Sequence, residues 1–385
     1  MLLSALTFCF ACGFAVYGGV FQNFIREDLH VGPDQLGILE SLREVPGLLT
    51  AFTAGTLVML AETRLSFLSI AVCALGVGLT GYAHNFTALV LIAVLWSTGG
   101  HIWFSLSPAI VMTLGQGQDS GRHLGRMGAI GASGTLLALA LTGGYCRWLQ
   151  HTHPGAHMPY RQMFELAGLL MLVDAVLASS LSHHACTKGE RQRVVWRAEY
   201  RDYYLLTFLE GCRRQIFTTF APFVLIMVFH TSVQAMLVLV FVNAVLNMIC
   251  APQMGRWMDR YGERVMLTIY YVSLMIIFAG YAHFQDIHTL YGLYLVDNVL
   301  NTFSLGITLH LNRIVRPGDL TPSLAMGTTM NHVAAVLVPV AGGLLWKAAD
   351  NYRIPFWIGI AVAVWSLYAV SRLPRHAVSA PAPAQ

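Results

Sequence analysis

The chain has 385 residues, of which 56% are hydrophobic and 11% are charged, and its formal net charge is +4. Soluble proteins carry about 25% charged residues, so this composition excludes an ordinary water-soluble domain and indicates an all-α protein that crosses a membrane many times. About twelve spans of roughly 20 residues use most of the chain, which leaves no room for a separate catalytic domain. We therefore do not expect an enzyme.

Apolar runs between polar breaks predict twelve helices in chain order. The first run begins at the N-terminus, lacks the basic segment of a signal peptide, and is long enough to span a bilayer. The predicted helices cover 2–24, 35–60, 65–83, 86–114, 126–147, 161–182, 203–229, 233–254, 265–283, 289–311, 323–346 and 354–372.

The longest polar stretch, His183 to Arg201, divides these helices into two sets of six. We expect an N-terminal bundle over 1–182 and a C-terminal bundle over 203–373. Between them, 183–202 is predicted to be a cytoplasmic connecting loop that contains a short amphipathic helix. The low-complexity tail, 374–385, is expected to be disordered.

The basic residues predict the orientation in the membrane. With both termini in the cytoplasm, the inner loops and tail carry fifteen lysines and arginines and the outer loops carry five. This bias has the direction that the positive-inside rule requires. We therefore expect a multi-pass protein of the bacterial inner membrane with both termini cytoplasmic. The five outer residues are Arg26, Arg147, Arg161, Lys347 and Arg353.

A ten-residue motif, GRWMDRYGER, follows predicted helix 8. It resembles the signature loop of the major facilitator superfamily, G-x-x-x-D-[RK]-x-G-[RK]-[RK], in its second-half copy. Glu263 stands where that loop usually has a base. The matching residues are Gly255, Asp259, Arg260, Gly262 and Arg264.

The resemblance implies the fold of that superfamily, with twelve transmembrane helices in two pseudo-symmetric six-helix bundles that rock about a central site. It implies that Asp259 faces the positive N-terminal end of helix 5 and holds the cytoplasmic side closed, with Arg260 and Arg264 completing the charge network. The first-half copy keeps only Gly55 and Arg64, and Met59 occupies its aspartate position.

Two further patterns bear on this resemblance. Gly55 and Arg64 match Gly255 and Arg264 at an offset of 200 residues, which indicates an internal duplication. The segment from Pro339 to Gly343 resembles the P-x-x-G-G antiporter motif of the superfamily, although it lies in helix 11 and not in helix 5. Packing alone is the alternative explanation, because small residues let helices approach closely.

Ionisable residues within the predicted helices are candidate functional groups, because each costs at least about 2.5 kcal/mol at the bilayer centre. Helices 2 and 7 each carry three of them at spacing i, i+3, i+4, with an arginine near the midplane. We expect arginines there to bind a carboxylate or phosphate group. The predicted substrate-binding residues are Arg43, Arg213, Arg214, His101, Asn298 and His332.

The acids in the same helices are candidates for proton coupling. A substrate that competes for the arginine would change the protonation of a neighbouring carboxylate. The predicted order is Asp297 first, then Glu44 and Glu210, with Glu40 last. The alternative is that glutamate and arginine neutralise each other and have a structural role. Arg214 points about 100° away from Arg213 on the helix, so we expect one of them to be structural.

No cofactor or metal site is expected. Three histidines in an outer loop, His151, His153 and His157, have no acid or thiol beside them. The sequence contains no nucleotide-binding or zinc-protease motif. The expected partners are a small-molecule substrate, protons and the lipid bilayer, without nucleic acid, and we expect a monomer.

These observations together predict a secondary transporter, proton-coupled, that moves a small organic anion or amphiphile by alternating access, with export favoured slightly. One alternative is a proton-coupled uptake symporter for a carboxylate metabolite. An alternative from another class is a membrane sensor on the same fold that does not transport.

Overall fold

The structure is a computed structural model, and it describes residues 2–57, 62–114, 120–180, 196–316 and 318–374. Within these ranges the chain folds into helices without a β-strand. The predicted all-α fold is thereby confirmed.

The first half of the chain contains six long helices. Ionisable side chains interrupt the apolar sequence of α2, whereas the others contain apolar segments long enough to cross a membrane. The helices are α1 (Leu2–Glu27), α2 (Pro33–Leu57), α3 (Glu62–Leu79), α4 (Phe86–Leu114), α5 (Ser120–Thr152) and α6 (Tyr160–Ser179).

The second half contains six crossings, one of which is divided. A 3-10 turn, Asn301–Ser304, joins α10 to α11, and these two helices together form the tenth crossing. The helices are α7 (Arg201–Met227), α8 (Val233–Tyr261), α9 (Glu263–His283), α10 (Ile287–Leu300), α11 (Leu305–Ile314), α12 (Leu320–Ala349) and α13 (Ile354–Ser371).

The predicted helices agree with the observed ones to within a few residues except at four places. Helix α8 was predicted to end at 254, but it continues to Tyr261 and includes the first seven residues of the signature motif. Helix α5 begins at Ser120 and not at 126, because its polar first turns continue the helix beyond the apolar run. The tenth helix was predicted to be continuous, but it contains the 3-10 turn. Most of the predicted connector helix lies outside the described residues, and Ala198–Tyr200 forms a 3-10 turn before α7.

The helices pack as two bundles with equivalent contacts between them. In the first bundle α1 lies against α5 and α6, and α3 lies against α4 and α6; in the second, α13 lies against α7 and α9. The main contacts between bundles are α2 with α12 and α5 with α8. Each of these pairs joins the second helix of one bundle to the fifth crossing of the other, as a two-fold pseudo-symmetry requires.

The two bundles meet closely at one end of the molecule, where α1 ends and α2 begins. We call this the α1–α2 end, and the opposite end, where α6 ends and α7 begins, the connector end. A Cβ atom added to Gly37 would lie 2.2 Å from the carbonyl oxygen of Pro339, and one added to Gly343 would lie 2.3 Å from that of Pro33. Glycine at both positions therefore allows the backbones of α2 and α12 to touch.

Polar contacts join the bundles at the same end. Lys347 Nζ donates to Asp34 Oδ2 at 2.7 Å, and Asn23 Nδ2 donates to the carbonyl oxygen of Thr231 at 3.2 Å. Helices α4 and α11, in contrast, pack mainly within their own bundles. The structure therefore has its bundles closed together at the α1–α2 end.

Candidate functional site

Arg213 of α7 lies in a closed network of charged and polar groups inside the second bundle. Its side chain is 1% exposed. Nη2 donates to Glu210 Oε1 and to Asn301 Oδ1, both at 2.5 Å, and Nη1 donates to Asp297 Oδ2 at 3.2 Å. We call Glu210, Arg213 and Asp297 the α7 cluster.

Two tyrosines of α9 complete the α7 cluster. Tyr270 donates its hydroxyl to Glu210 Oε1 at 2.9 Å, and Tyr271 donates to Glu210 Oε2 at 3.2 Å. Glu210 thus has three donor residues, whereas among the described residues Asp297 has only Arg213. The charges of Arg213 and Glu210 are therefore well compensated, and that of Asp297 is compensated least.

The neighbouring residue, Arg214, faces a polar cavity. This cavity has a volume of about 220 Å³ and lies between α7, α12 and the segment that joins α10 to α11. The part of the chain that the structure describes gives the exposed Arg214 guanidinium neither a hydrogen bond nor an ion pair. Other polar residues of its lining include Thr207, Glu210, Asn301, Thr328 and Asn331.

A second group of ionisable residues lies where α2 meets α4 and α12. Glu44 Oε2 is 3.2 Å from His332 Nδ1 and 3.6 Å from His101 Nε2. Arg43 forms an ion pair with Glu40, and its Nη2 lies 3.7 Å from Glu44 Oε1. We call these five residues the junction cluster, because His332 belongs to the second bundle and the other four to the first.

The structure separates residues that the sequence placed in one site. The α7 cluster and the junction cluster each form their own ion pairs, and Arg43 and Arg213 share no partner among the described residues. Asn298 donates to the carbonyl oxygen of Tyr294 on its own helix at 2.8 Å. Of the two adjacent arginines on α7, Arg213 is enclosed by protein, whereas Arg214 lines the cavity.

The sequence patterns did not single out Tyr270, Tyr271 and Asn301, which contribute to the α7 cluster, or Asp174, which lies outside both clusters. Tyr270, Tyr271 and Asn301 hold the α7 cluster, but tyrosine and asparagine in a membrane helix carry no signal of that role. Asp174 of α6 is fully buried, and both its carboxylate oxygens are without a hydrogen-bond partner in the described part of the chain. Its presence in an apolar run was the available signal.

Comparison with known proteins identifies the family. The family model for the Major Facilitator Superfamily matches residues 3–312. The chain belongs to the major facilitator superfamily. Members are carriers and not enzymes, so the expectation that the chain is not an enzyme is confirmed.

Solved transporters of this superfamily share the fold. A single-residue variant of the nucleoside transporter NupG has a TM-score of 0.79 and 14% identity, covering 97% of this chain and 99% of that one. A D-xylose–proton symporter has a TM-score of 0.72 and 12% identity, covering 97% and 96%. A bacterial homologue of the human lysosomal transporter Spinster has a TM-score of 0.72 and 13% identity, covering 96% of each chain. No curated protein matches the chain in sequence.

The superfamily signature loop joins α8 to α9 through Gly262. Its φ angle of +80° is favourable only for glycine, and its amide donates to the carbonyl oxygen of Met258 at 2.9 Å. Glu263, which replaces the usual base, is buried and lies 3.1 Å from Arg313 Nη1. Arg264 donates to the carbonyl oxygens of Ser371 and Leu373.

The predicted latch of the signature loop is not formed by the residues that the structure describes. Asp259 is exposed and makes no hydrogen bond or ion pair with any of them. The residues just before α5, 115–119, and the first-half position Met59 lie outside the described ranges. The contact of Asp259 with the N-terminal end of α5 stays a prediction, as do the gate roles of Gly255 and Arg260.

The glycines of the P-x-x-G-G segment in α12 have a visible packing function. Gly343 touches the backbone of α2 at Pro33, and a Cβ atom on Gly342 would lie 2.6 Å from the ring of Phe220. Packing therefore accounts for both glycines without reference to the direction of transport.

Proposed function

We propose that this membrane transporter carries a small organic anion, which binds to Arg214, together with a proton, which binds to Asp297. The observation that carries the proposal is the exposed guanidinium of Arg214, which lines a polar cavity and is unpaired among the residues that the structure describes. A guanidinium group can hold a carboxylate or phosphate through two parallel hydrogen bonds. The cavity volume of about 220 Å³ is below the roughly 300–1,000 Å³ of sites for drug-sized ligands, which favours a small solute.

The charges around the cavity support co-transport of a proton. Arg213 and Arg214 carry two positive charges, and Glu210 and Asp297 carry two negative charges, so the four residues together are neutral. An anion bound at Arg214 adds a negative charge, and a proton on Asp297 restores the balance. Binding of anion and proton is therefore mutually favourable.

Within the α7 cluster, Asp297 is a better proton acceptor than Glu210, because among the described residues one residue donates to Asp297 and three donate to Glu210. The ionisable groups near it are Arg213 and Glu210 of α7, Tyr270 and Tyr281 of α9, and Tyr294 on its own helix. Protonation of Asp297 leaves Arg213 paired with Glu210, whereas protonation of Glu210 would weaken the hydrogen bonds that it accepts from three residues. Glu40 and Glu44, in comparison, are held by Arg43 at the junction between the bundles.

Co-binding of anion and proton favours a symporter, which moves both in the same direction. This is the uptake alternative that the sequence left open. Export, the first expectation, depends on the P-x-x-G-G resemblance, and packing explains the two glycines of that segment. If the connector end faces the cytoplasm, as the basic residues predict, the closed α1–α2 end makes the structure inward-facing. Because one chain contains both bundles, we propose a monomer.

A neutral polar solute is the second candidate. Amide and hydroxyl groups make up much of the cavity lining, and they suit sugar or nucleoside hydroxyls. The structural neighbours include a nucleoside transporter and a D-xylose–proton symporter. At 12–14% identity these neighbours share only the fold with this chain. Nucleosides and sugars are therefore included in the substrate panel.

Solute-driven pH change in proteoliposomes tests the proposal. The panel contains small carboxylates, phosphate esters, nucleosides, sugars and organic cations. We expect carboxylates or phosphate esters to move protons in the wild type and in Arg161→Gln, which removes an exposed arginine outside the cavity. Arg214→Gln and Asp297→Asn should each abolish this signal.

Other outcomes would contradict the proposal. If nucleosides or sugars are transported equally well by the wild type and Arg214→Gln, the substrate is a neutral solute and not an anion. Anion flux that is kept in Asp297→Asn with the same proton stoichiometry would remove Asp297 from coupling. Proton movement in the direction opposite to the anion would indicate proton–anion exchange and would support export, the first expectation.

A further inference from the structure

Three groups that can ligate a metal converge where the two bundles meet. Glu44 of α2, His101 of α4 and His332 of α12 each offer one ligand atom, and these atoms lie within 4.8 Å of one another. Their side chains are only 14–18% exposed. Two imidazoles and one carboxylate are a ligand set that binds Zn²⁺ and leaves a fourth position open.

Hydrogen bonds fix His101 in the form that binds a metal. Its Nδ1 lies 2.9 Å from the carbonyl oxygen of Ser97, which can only accept. The Ser97 hydroxyl donates to the carbonyl oxygen of Arg43, so it also accepts from His101 Nδ1, at 3.0 Å. Nδ1 therefore carries the proton, and Nε2 presents a lone pair. Such a bond behind a metal-binding histidine is the usual way in which its ring is oriented.

The lone pair of His101 points at another acceptor. Its Nε2 lies 3.6 Å from Glu44 Oε2, and neither atom has a proton to share when the imidazole is neutral. A cation between or beside these two acceptors would attract both of them. With both imidazoles neutral, the described residues place one cation, Arg43, beside the two carboxylates of Glu40 and Glu44. Lone-pair geometry and charge therefore both favour a bound cation.

Gly47 makes room for the two imidazoles. A Cβ atom at this position would lie 2.4 Å from His332 Cε1 and 2.5 Å from His101 Nε2. The ring centroids of His101 and His332 are 5.1 Å apart. A larger residue at position 47 would push both rings away from Glu44, so the glycine is a condition for the convergence.

We propose that Glu44, His101 and His332 form a binding site for a divalent transition metal ion of the Zn²⁺ type. Two ligands belong to the first bundle and one to the second. The complete set exists only while the bundles are closed at this level, and the ion therefore stabilises the conformation that is closed at the α1–α2 end. The site regulates the transporter and is separate from the cavity at Arg214. The proposal does not depend on the identity of the transported solute.

Metal binding to the purified full-length protein tests the site. We expect the wild type to bind one Zn²⁺ per chain, to melt at a higher temperature with Zn²⁺, and to give the visible absorption of a low-symmetry Co²⁺ site with Co²⁺. His101→Gln and His332→Gln should bind Zn²⁺ about tenfold or more weakly. Their melting temperatures without metal show whether they are folded. Ser97→Ala is a further variant, which retains all three ligands and removes the hydroxyl that accepts from His101 Nδ1.

The matched control replaces the loop histidines His151, His153 and His157 together with alanine. It should bind Zn²⁺ as the wild type does. Equal binding in the wild type and His332→Gln, loss of binding in the loop variant only, or no binding to the wild type would each overturn the proposal. In the last case a proton on the junction cluster supplies the missing charge.

Transport measurements then separate regulation from metal transport. Zn²⁺ should inhibit solute flux in wild-type proteoliposomes and have no effect in His332→Gln. Accumulation of Zn²⁺ itself in the vesicles would overturn the regulatory role. Failure of the proposed anion transport would leave the Zn²⁺ binding data unchanged, so the two proposals can be judged separately.

Discussion

Helices α2 and α7 each carry three ionisable residues at the same spacing, with a glutamate first and an arginine second, but the third residue differs in charge and the structure places the two sets differently. Glu210 and Arg213 of α7 are enclosed within one bundle, where Asp297 and two tyrosines hold them. On α2, Glu40 and Arg43 also pair, but Glu44 reaches across to His332 of the other bundle. An ion pair within one helix therefore says little about function. The third charged residue of each set is more informative: Glu44 contacts the other bundle, and Arg214 lines the cavity.

The largest effect expected from this comparison is the loss of stability in Arg213→Ala. The substitution leaves Glu210 and Asp297 buried without their cation, which costs about 3–5 kcal/mol. Thermal unfolding of the purified protein should show the change, whereas Arg214→Ala, one residue further along, should melt as the wild type does. Equal melting temperatures for both variants would contradict the closed network.

A substitution at the contact between bundles should have the next largest effect. In Gly37→Val the new side chain meets the backbone of Pro339 and forces α2 and α12 apart, at a cost of about 1–3 kcal/mol. Gly18→Val is the control, because a Cβ atom there meets no described residue within 4 Å. A cysteine introduced at the α1–α2 end should become more reactive in Gly37→Val only.

Glu44→Gln sharpens the comparison between the two patterns. The amide keeps the shape and can still hydrogen-bond His332, so we expect the unfolding free energy to change by about 1 kcal/mol or less. Solute flux should nevertheless fall, because the charge that links the bundles is lost. Glu165→Gln, on the exposed face of α6, is the matched control. A large loss of stability with normal flux would make Glu44 structural, like Glu210.

The smallest expected effect is local and depends on pH. Asp319 precedes α12 at the connector end, and hydrogen bonds from Arg197 and Tyr200 hold the pKa of its carboxyl below the usual value of 3.8. A lowered folded-state pKa means that the stabilisation is complete above about 3.8 and is lost as pH falls through the lower value.

Hydrogen exchange in the first turn of α12 measures this effect. After correction for intrinsic rates, protection should be constant from pH 8 to pH 5 in the wild type and lower throughout that range in Asp319→Asn. Protection that falls between pH 7 and pH 5 in the wild type would contradict the assigned pKa direction.

Local patterns in the sequence predicted the helices and the family, because membrane spans depend on length and hydropathy and the signature loop is contiguous. The position of Arg214 could not be predicted, since adjacent residues on a helix differ by about 100° and the packing of α9 and α10 decides which one is enclosed. The approach of Glu44, His101 and His332 was also hidden, because three helices from two bundles bring them together. The departure at Glu263 was visible in the sequence, but its ion pair with Arg313 was not.

The most direct test of the central claim is equilibrium binding of the transported anion to Arg214 variants that remain folded. We predict that Arg214→Lys binds about tenfold more weakly than the wild type and Arg214→Gln about 100-fold more weakly, which corresponds to about 1.4 and 2.7 kcal/mol, with unchanged melting temperatures in the absence of solute. Wild-type affinity in a folded Arg214→Gln protein would contradict the claim that this arginine binds the substrate.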